Sequence, residues 1–277
     1  MVLARSGGTN FFALQPITVS AVLESEENFL MLLLGLDFEL LGLDPKVHAV
    51  CEVGAILWDT DHHRSVLSMG YLVRVSESAP FEEEALKVSG LSLELISKYG
   101  KESIKGLRQL LFMYEQADVI VAHNGTTCDR LFLQAWIAAC GLDFSENKLW
   151  LDTLTDIEYP KKWSRQLTCL AAYHGFLNPF PHQALADVMT MLTILDKYSI
   201  EEIITYAKIP TIGVRLTLPF ESKEWAKERS YFPYYKDNKF QFWMKKMKEH
   251  RFEAEAKEAK DMGFLLTKLD VIPAGVY

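Results

Sequence analysis

The chain lacks any Cys-x-x-Cys pair: its four cysteines, Cys51, Cys128, Cys140 and Cys169, stand singly along 277 residues. That spacing excludes a zinc ribbon and a secreted disulfide framework, and it points to a reducing compartment. Long apolar runs are missing as well. The early run 29–36 is interrupted by Gly35 and ended by Asp37 and Glu39, far short of the roughly 20 residues that cross a bilayer. The first residues hold one Arg and a mildly apolar stretch broken by Gln15 and Pro16, a poor signal peptide, so residues 1–28 read as a leader of unknown role. Positive charge is scarce, with a net charge of −8, but the deficit is uneven. Residues 1–212 hold 16 Lys and Arg against 27 Asp and Glu, whereas residues 213–277 hold 13 against 10. A carboxylate-rich body can handle a phosphate substrate if bound cations invert the local field, and a basic appendage supplies long-range attraction. Net charge therefore leaves nucleic acid open as a partner.

What is present suffices for one sizeable core and an appendage: 49% of the residues are hydrophobic and 12% aromatic. The main domain is read at 29–208 and a small extension at 213–277. The run 29–36 reads as a buried strand, and strand alternation sends Asp37 and Glu39 to the same face. Two carboxylates in one small space repel each other unless a cation neutralises them, so the pair reads as half of a divalent-metal site that needs further carboxylates. Gly42-Leu43-Asp44-Pro45 is a turn signal, and 49–58 and 65–75 read as the next two strands. Helical spacing follows at 92–99 and 103–116, then a short strand at 118–124, a helix at 127–140, a strand at 148–151, and helices at 167–174 and 184–198. Three strands followed by alternating helices and strands predict a mixed sheet with helices on both faces.

The missing carboxylates have two candidates. Asp129 heads a helix whose stripe Phe132, Leu133, Trp136 and Ile137 faces the core, where an unpaired charge is costly. A first-turn or capping Asp is the plainer explanation, but His123-Asn124-Gly125 lies between a strand end and that helix, where α/β sheets place ligands. Asp187 repeats the pattern ahead of Met191, Ile194 and Leu195, after the stiff approach Pro179-Phe180-Pro181-His182. Within a single helix, five residues would turn His182 about 140° away from Asp187, so His182 must lie in the loop to reach the same place.

Asp37-Phe38-Glu39 with Gly42-Leu43-Asp44-Pro45, then His123-Asn124 with Asp129, then His182 with Asp187 resembles the three motifs of the DEDDh (DnaQ-like) 3′-to-5′ exonuclease superfamily. The resemblance covers about residues 30–198 and is nearest to exodeoxyribonuclease X-like or proofreading-subunit-like members. It implies a ribonuclease H-like α/β fold, a mixed five-stranded sheet flanked by helices. It also implies a metal-dependent exonuclease that releases nucleoside 5′-monophosphates from the 3′ end of DNA, single strands favoured. Two divalent cations, Mg²⁺ or Mn²⁺, are implied as cofactors, since oxygen ligands suit these hard ions. By the same resemblance Asp37 bridges both ions, Glu39 and Asp187 complete the first site, and Asp129 acts through water. His182 is the expected general base, because imidazole exchanges protons near neutral pH. Leu40, Leu41, Gly42, His123, Asn124 and Cys128 are the expected substrate contacts. Leu40 and Leu41 depart from the usual Thr after the first motif, and Cys128 from the usual Phe before the second Asp. Gln183 excludes the sister class, which carries Tyr four residues before its last Asp. Implied partners are nucleic acid with a free 3′ end and replication or repair proteins, with no membrane, in the cytoplasm of a bacterial or phage-infected cell. Two other readings stand beside this one: an RNA-trimming exoribonuclease, and a nucleic-acid-binding protein that keeps the fold without turnover.

Residues 214–252 interleave Arg215, Lys223, Lys227, Arg229, Lys236, Lys239, Lys245, Lys246, Lys248 and Arg251 with Phe220, Trp225, Tyr231, Phe232, Tyr234, Tyr235, Phe240, Phe242 and Trp243. Such a mixture can track a single strand and stack its bases. It also suits a small αβ module whose aromatics are its core and whose lysines are its wet face. Both hold if only the basic face meets substrate. Removing residues 213–277 is expected to weaken affinity and processivity and to leave hydrolysis of short substrates intact.

Overall fold

The computed structural model describes residues 31–160 and 162–270. The leader 1–28 and the end of the extension, 271–277, lie outside the described residues.

Strand β1 (Leu32–Leu40) forms because its residues serve two buried faces in alternation: Leu34, Leu36 and Phe38 enter one apolar cluster and Leu33 another. Strands β2 (Val50–Asp59) and β3 (Arg64–Leu72) complete an antiparallel meander with it. Three helices follow, α1 (Glu83–Ser89), α2 (Leu93–Tyr99) and α3 (Ser103–Gln116). Then β4 (Val119–Ala122) returns parallel to β1, and β5 (Leu149–Asp152) pairs parallel with β4. The strand order is β3-β2-β1-β4-β5, the mixed five-stranded sheet implied by the resemblance. Helix α1 was not read from the sequence, because it is short and only Ser89 in it is buried, which leaves no apolar stripe to recognise.

Helix α3 and helix α4 (Asp129–Ala139) cover one face of the sheet, where Leu107, Leu110, Phe132 and Trp136 meet Leu34, Leu36 and Phe38. Helices α5 (Leu167–Tyr173), α6 (Ala184–Leu195) and α7 (Ile200–Ala207) cover the other, where Leu170, Val188, Leu192 and Ile203 meet Leu33, Ile56 and Val121. Two glycines set how closely α6 lies on the sheet. A Cβ at Gly35 would come within 2.9 Å of Val188 and Leu192, and one at Gly54 within 2.3 Å of the Ala184–Leu185 backbone at the head of the helix.

The extension folds into a second sheet: β6 (Thr211–Thr217), α8 (Lys223–Glu228), β7 (Phe232–Lys236), β8 (Lys239–Lys248), α9 (Phe252–Asp261) and β9 (Leu265–Lys268), in the strand order β7-β8-β6-β9. Its core takes Trp225, Tyr231, Trp243, Phe252 and Phe264, whereas Phe232, Tyr234, Tyr235, Phe240 and Phe242 belong to no buried cluster. Both sheets fall within one compact unit. No helix among the described residues is long and apolar enough to cross a membrane.

Candidate active site

The carboxyl ends of the parallel strands define one end of the first sheet, and the expected carboxylates converge there. On β1, Asp37 and Glu39 share the face that carries α6. Strand β4 pairs only with Leu33–Gly35, so β1 runs on past it with an open edge. The Phe38 N–H on that edge donates to Oδ1 of Asp129 at 3.0 Å, which fixes Asp129 beside β1. Asp129 is the first residue of α4 and is 4% exposed; Cys128 occupies the capping position without a side-chain cap bond, so Asp129 is not the helix cap. Asp187 lies in the first turn of α6, 8% exposed.

His182 stands two residues before α6, in the loop as its spacing requires. It is exposed, its φ of 61° is left-handed, and its backbone N–H donates to Oδ2 of Asp187 at 2.9 Å. A non-glycine residue in that conformation is uncommon and marks a constrained position. Glu39, His182 and Asp187 each bring a ligand atom within 4.8 Å of the others'.

The acids raise one another's pKa. Burial, followed by the field of Asp129 and then Glu39 and Asp187, holds the Asp37 carboxyl well above its ordinary range. Burial and Glu52 push Glu39 up to about 8. Asp129 and Asp187 are raised too, chiefly by burial, against hydrogen bonds from the Phe38 and His182 N–H groups that pull the other way. None of the ion pairs among the described residues supplies them with a Lys or Arg. A buried cluster of acids without a protein cation, offering oxygen and imidazole donors within a few ångströms, fits hard divalent ions.

Two further acids were missed in the sequence. Glu52 on β2 lies directly opposite Glu39 in the β1–β2 ladder, and burial raises its carboxyl while the Ala184 backbone at the head of α6 pulls the other way. Its signal was a lone charge inside an otherwise apolar strand. Asp152, 1% exposed at the end of β5, accepts from Asn124 N at 2.8 Å, from Thr126 N at 3.3 Å and Oγ1 at 2.9 Å, and from Leu154 N at 3.0 Å. It holds the 123–128 loop that leads into Asp129.

The expected substrate contacts divide. Asn124 is exposed with a φ of 65°, open to a ligand, and Leu40 is half-buried against the Phe38–Trp136 cluster. Leu41 is not available: it is 0% exposed and packs with Cys51 and Ile96. Gly42 is buried beneath the His48 ring, which a Cβ would meet at 2.6 Å. His123 has both ring nitrogens engaged, with Thr153 Oγ1 at 2.9 Å and Arg165 O at 2.9 Å, and burial lowers its pKa. Since a carbonyl only accepts, Nε2 carries the proton and the ring braces the loop rather than facing substrate. The Cys128 thiol, pushed up to about 12 by burial and neighbouring acids, packs against the apolar cluster as an unreactive group.

Acids gathered at the carboxyl ends of β1 and β4, on a ribonuclease H-like sheet, define the class: a metal-dependent exonuclease domain. Residues 34–195, more than half of the chain, match the exonuclease family (RNase_T), and the chain belongs to that family. Among curated relatives, the PolC-type DNA polymerases III of Thermotoga petrophila and Thermotoga maritima are each 29% identical over 154 residues, 55% of this chain and 10% of theirs. The chain thus spans about a tenth of the length of the curated relatives it matches. Among solved structures, E. coli exonuclease I in complex with a dT13 oligonucleotide aligns with a TM-score of 0.57 and 14% identity, covering 72% of this chain and 50% of that one. The nuclease domain of 3′hExo, a DEDDh family member bound to rAMP, aligns at 0.51 and 16% identity, covering 61% of this chain and 92% of that one. At these identities the two alignments show a shared fold.

Proposed function

We propose that this exonuclease hydrolyses DNA from the 3′ end, single strands favoured, and releases nucleoside 5′-monophosphates with the aid of two Mg²⁺ or Mn²⁺ ions. The observation that carries the reading is the convergence of Asp37, Glu39, Asp129 and Asp187 without a protein cation, with His182 within 4.8 Å of Glu39 and Asp187. These four acids would hold the ions, which when bound withdraw charge from a phosphate and acidify a water. A ring nitrogen of His182 takes the proton of the attacking water, and the left-handed backbone at His182 together with its N–H bond to Asp187 keeps the imidazole beside that water. The exposed Asn124, in the loop that leads into Asp129, is the proposed contact to the terminal nucleotide. DNA is favoured because exonuclease I of E. coli is seen with DNA oligonucleotides and the curated relatives are DNA polymerases.

The test is hydrolysis of end-labelled single-stranded DNA, duplex DNA and RNA side by side, with Mg²⁺ or Mn²⁺ and then with EDTA. Mononucleotide release from the 3′ end of DNA that stops with EDTA supports the reading; faster degradation of RNA replaces DNA with RNA as the substrate. His182→Ala is expected to lower kcat about a hundredfold or more, the usual share of a general base, with little change in the Kd for a 3′-ended oligonucleotide. A large loss of binding in that variant would remove His182 from the proton-transfer role.

The extension reads as a strand-binding module. The end of the β7–β8 hairpin runs past β6, which pairs with β8 only from Trp243 to Lys248. Tyr234 and Phe242 lie side by side on this ribbon, tilted by 33° with centroids 5.1 Å apart, the Arg215 guanidinium lies 4.9 Å from the Phe242 ring, and Lys236 and Lys239 flank the Asp237-Asn238 turn. Rings left outside the core beside unpaired cations suit bases and phosphates. Replacing Tyr234 and Phe242 together with Ala is expected to weaken binding of a 20-nucleotide single strand roughly ten- to a hundredfold, as loss of one or two stacked bases would. Fluorescence anisotropy reads this, and unchanged affinity would make the ribbon irrelevant to nucleic acid.

A further inference from the structure

We propose that Lys248, in the extension, is a positioning residue for the active-site loop: the second sheet sets the geometry of the 123–128 loop through a chain of buried contacts, Lys248 to Asp156 to Asp152. The inference rests on the reading of Asp129 as part of the site.

Lys248 ends β8 and leaves its own sheet for the exonuclease body. Its ammonium lies 3.0 Å from Asp156 Oδ1 and donates to the carbonyls of Ala207, at 3.2 Å, and Ile209, at 3.3 Å, at and just past the end of α7. All three of its donors are therefore used in the body. The ion pair is buried, with side-chain exposures of 10% and 8%. The other pair at this junction, Arg251 with Glu158, is solvent-exposed on both sides, so it holds little.

Asp156 passes the contact on. Its second oxygen, Oδ2, accepts the Asp152 N–H at 2.9 Å, and its own N–H returns to Asp152 O at 2.7 Å. Asp152 in turn grips Asn124 and Thr126 through both carboxylate oxygens, and its neighbour Thr153 meets the His123 ring. Three residues after Thr126 the chain reaches Asp129, pinned to β1 at Phe38. The Lys248–Asp156 and Asp156–Asp152 links join side chains with little exposed surface, so a shift at Lys248 is passed on to Asp152 rather than absorbed by solvent. Without the ammonium, Asp156 would be an unpaired buried carboxylate and would turn toward water, orphaning the Asp152 N–H and loosening the loop.

This geometry gives a different expectation for the truncation. Removing residues 213–277 takes Lys248 with it, so hydrolysis of short substrates falls along with processivity.

The experiment uses the full chain and a trinucleotide substrate too short to reach the ribbon. Lys248→Met is expected to lower kcat roughly tenfold, as a small misplacement of a reacting group does, with KM nearly unchanged. Amide hydrogen exchange at Asn124–Asp129 rises in the same variant without substrate or metal, while exchange in β2 stays as in the parent. The double variant Asp156→Asn with Lys248→Met leaves no unpaired charge and is expected to regain most of the lost kcat and loop protection. It also serves as the test if Lys248→Met alone fails to fold. Parental kcat and loop exchange in Lys248→Met, or a double variant no better than the single one, would overturn the proposal. Absence of exonuclease activity in the parent would instead overturn the reading of the site, and the exchange data would still judge the chain of contacts.

Discussion

Asp37→Asn is expected to abolish metal-dependent nucleotide release, by at least about a thousandfold, and at the same time to raise the melting temperature of the metal-free protein. The first effect follows from the loss of the acid that faces all the others in the cluster: Asp129, Glu39, Asp187 and Glu52 each act on it. Ion-assisted hydrolysis depends on such ligands for both activation of the water and neutralisation of the leaving oxygen. The second effect has the opposite sign because the carboxylate is held at a cost. Burial and four like charges oppose its ionisation, so an amide of the same shape removes repulsion and adds none. A gain of about 1–2 kcal/mol, roughly 3–7 °C for a domain of this size, is the expected scale. Asp129→Asn should not share the gain in full, since its carboxylate also satisfies the Phe38 N–H. Calorimetry in EDTA beside initial rates with Mn²⁺ checks both halves; a destabilised Asp37→Asn would mean that Asp37 serves the fold and not the site.

Metal affinity should climb with pH. Glu39 is raised to about 8 while the unfolded chain releases the same proton in the ordinary carboxylate range. Between those values the folded state binds more protons than the unfolded one, so without metal stability falls as pH rises through the window and levels off above about 8. A divalent ion needs the ionised forms, and so it displaces those protons. Its affinity should gain about tenfold per pH unit for each proton displaced, up to the pH at which the acids are already ionised. Thermal shifts with Mn²⁺ at pH 6 and pH 8.5 read this directly, and calorimetric titration in buffers of different protonation enthalpy counts the protons. A cation effect equal at both pH values would show that the buried acids are not the ligands.

Much of this was legible along the chain for a simple reason. Strand alternation put Asp37 and Glu39 on one face without knowledge of the fold, and helical spacing put Asp129 and Asp187 at the heads of core-facing stripes. The mixed five-stranded sheet was implied by the resemblance and is observed; its strand order is a finding of the structure. How Leu41, Gly42 and His123 are packed was not legible, because motif position carries no information about packing. Leu41 is covered by Cys51 and Ile96, Gly42 by His48, and His123 is spent on Thr153 and Arg165. The tail aromatics could not be sorted at all by composition, since core rings and surface rings share the same residue types.

By itself the sequence determined which acids could share a site, that such a cluster calls for a cation, and that His182 must stand outside the helix of Asp187 to reach it. These depend on local periodicity, which the chain writes within a few residues. Only the tertiary structure decided who holds those acids in place. Glu52 opposite Glu39, Asp152 beneath the 124–126 backbone, and Lys248 reaching from a second sheet to Asp156 are contacts between residues 13, 28 and 92 positions apart. Such contacts arise from the close packing of separate elements, and no local pattern encodes them.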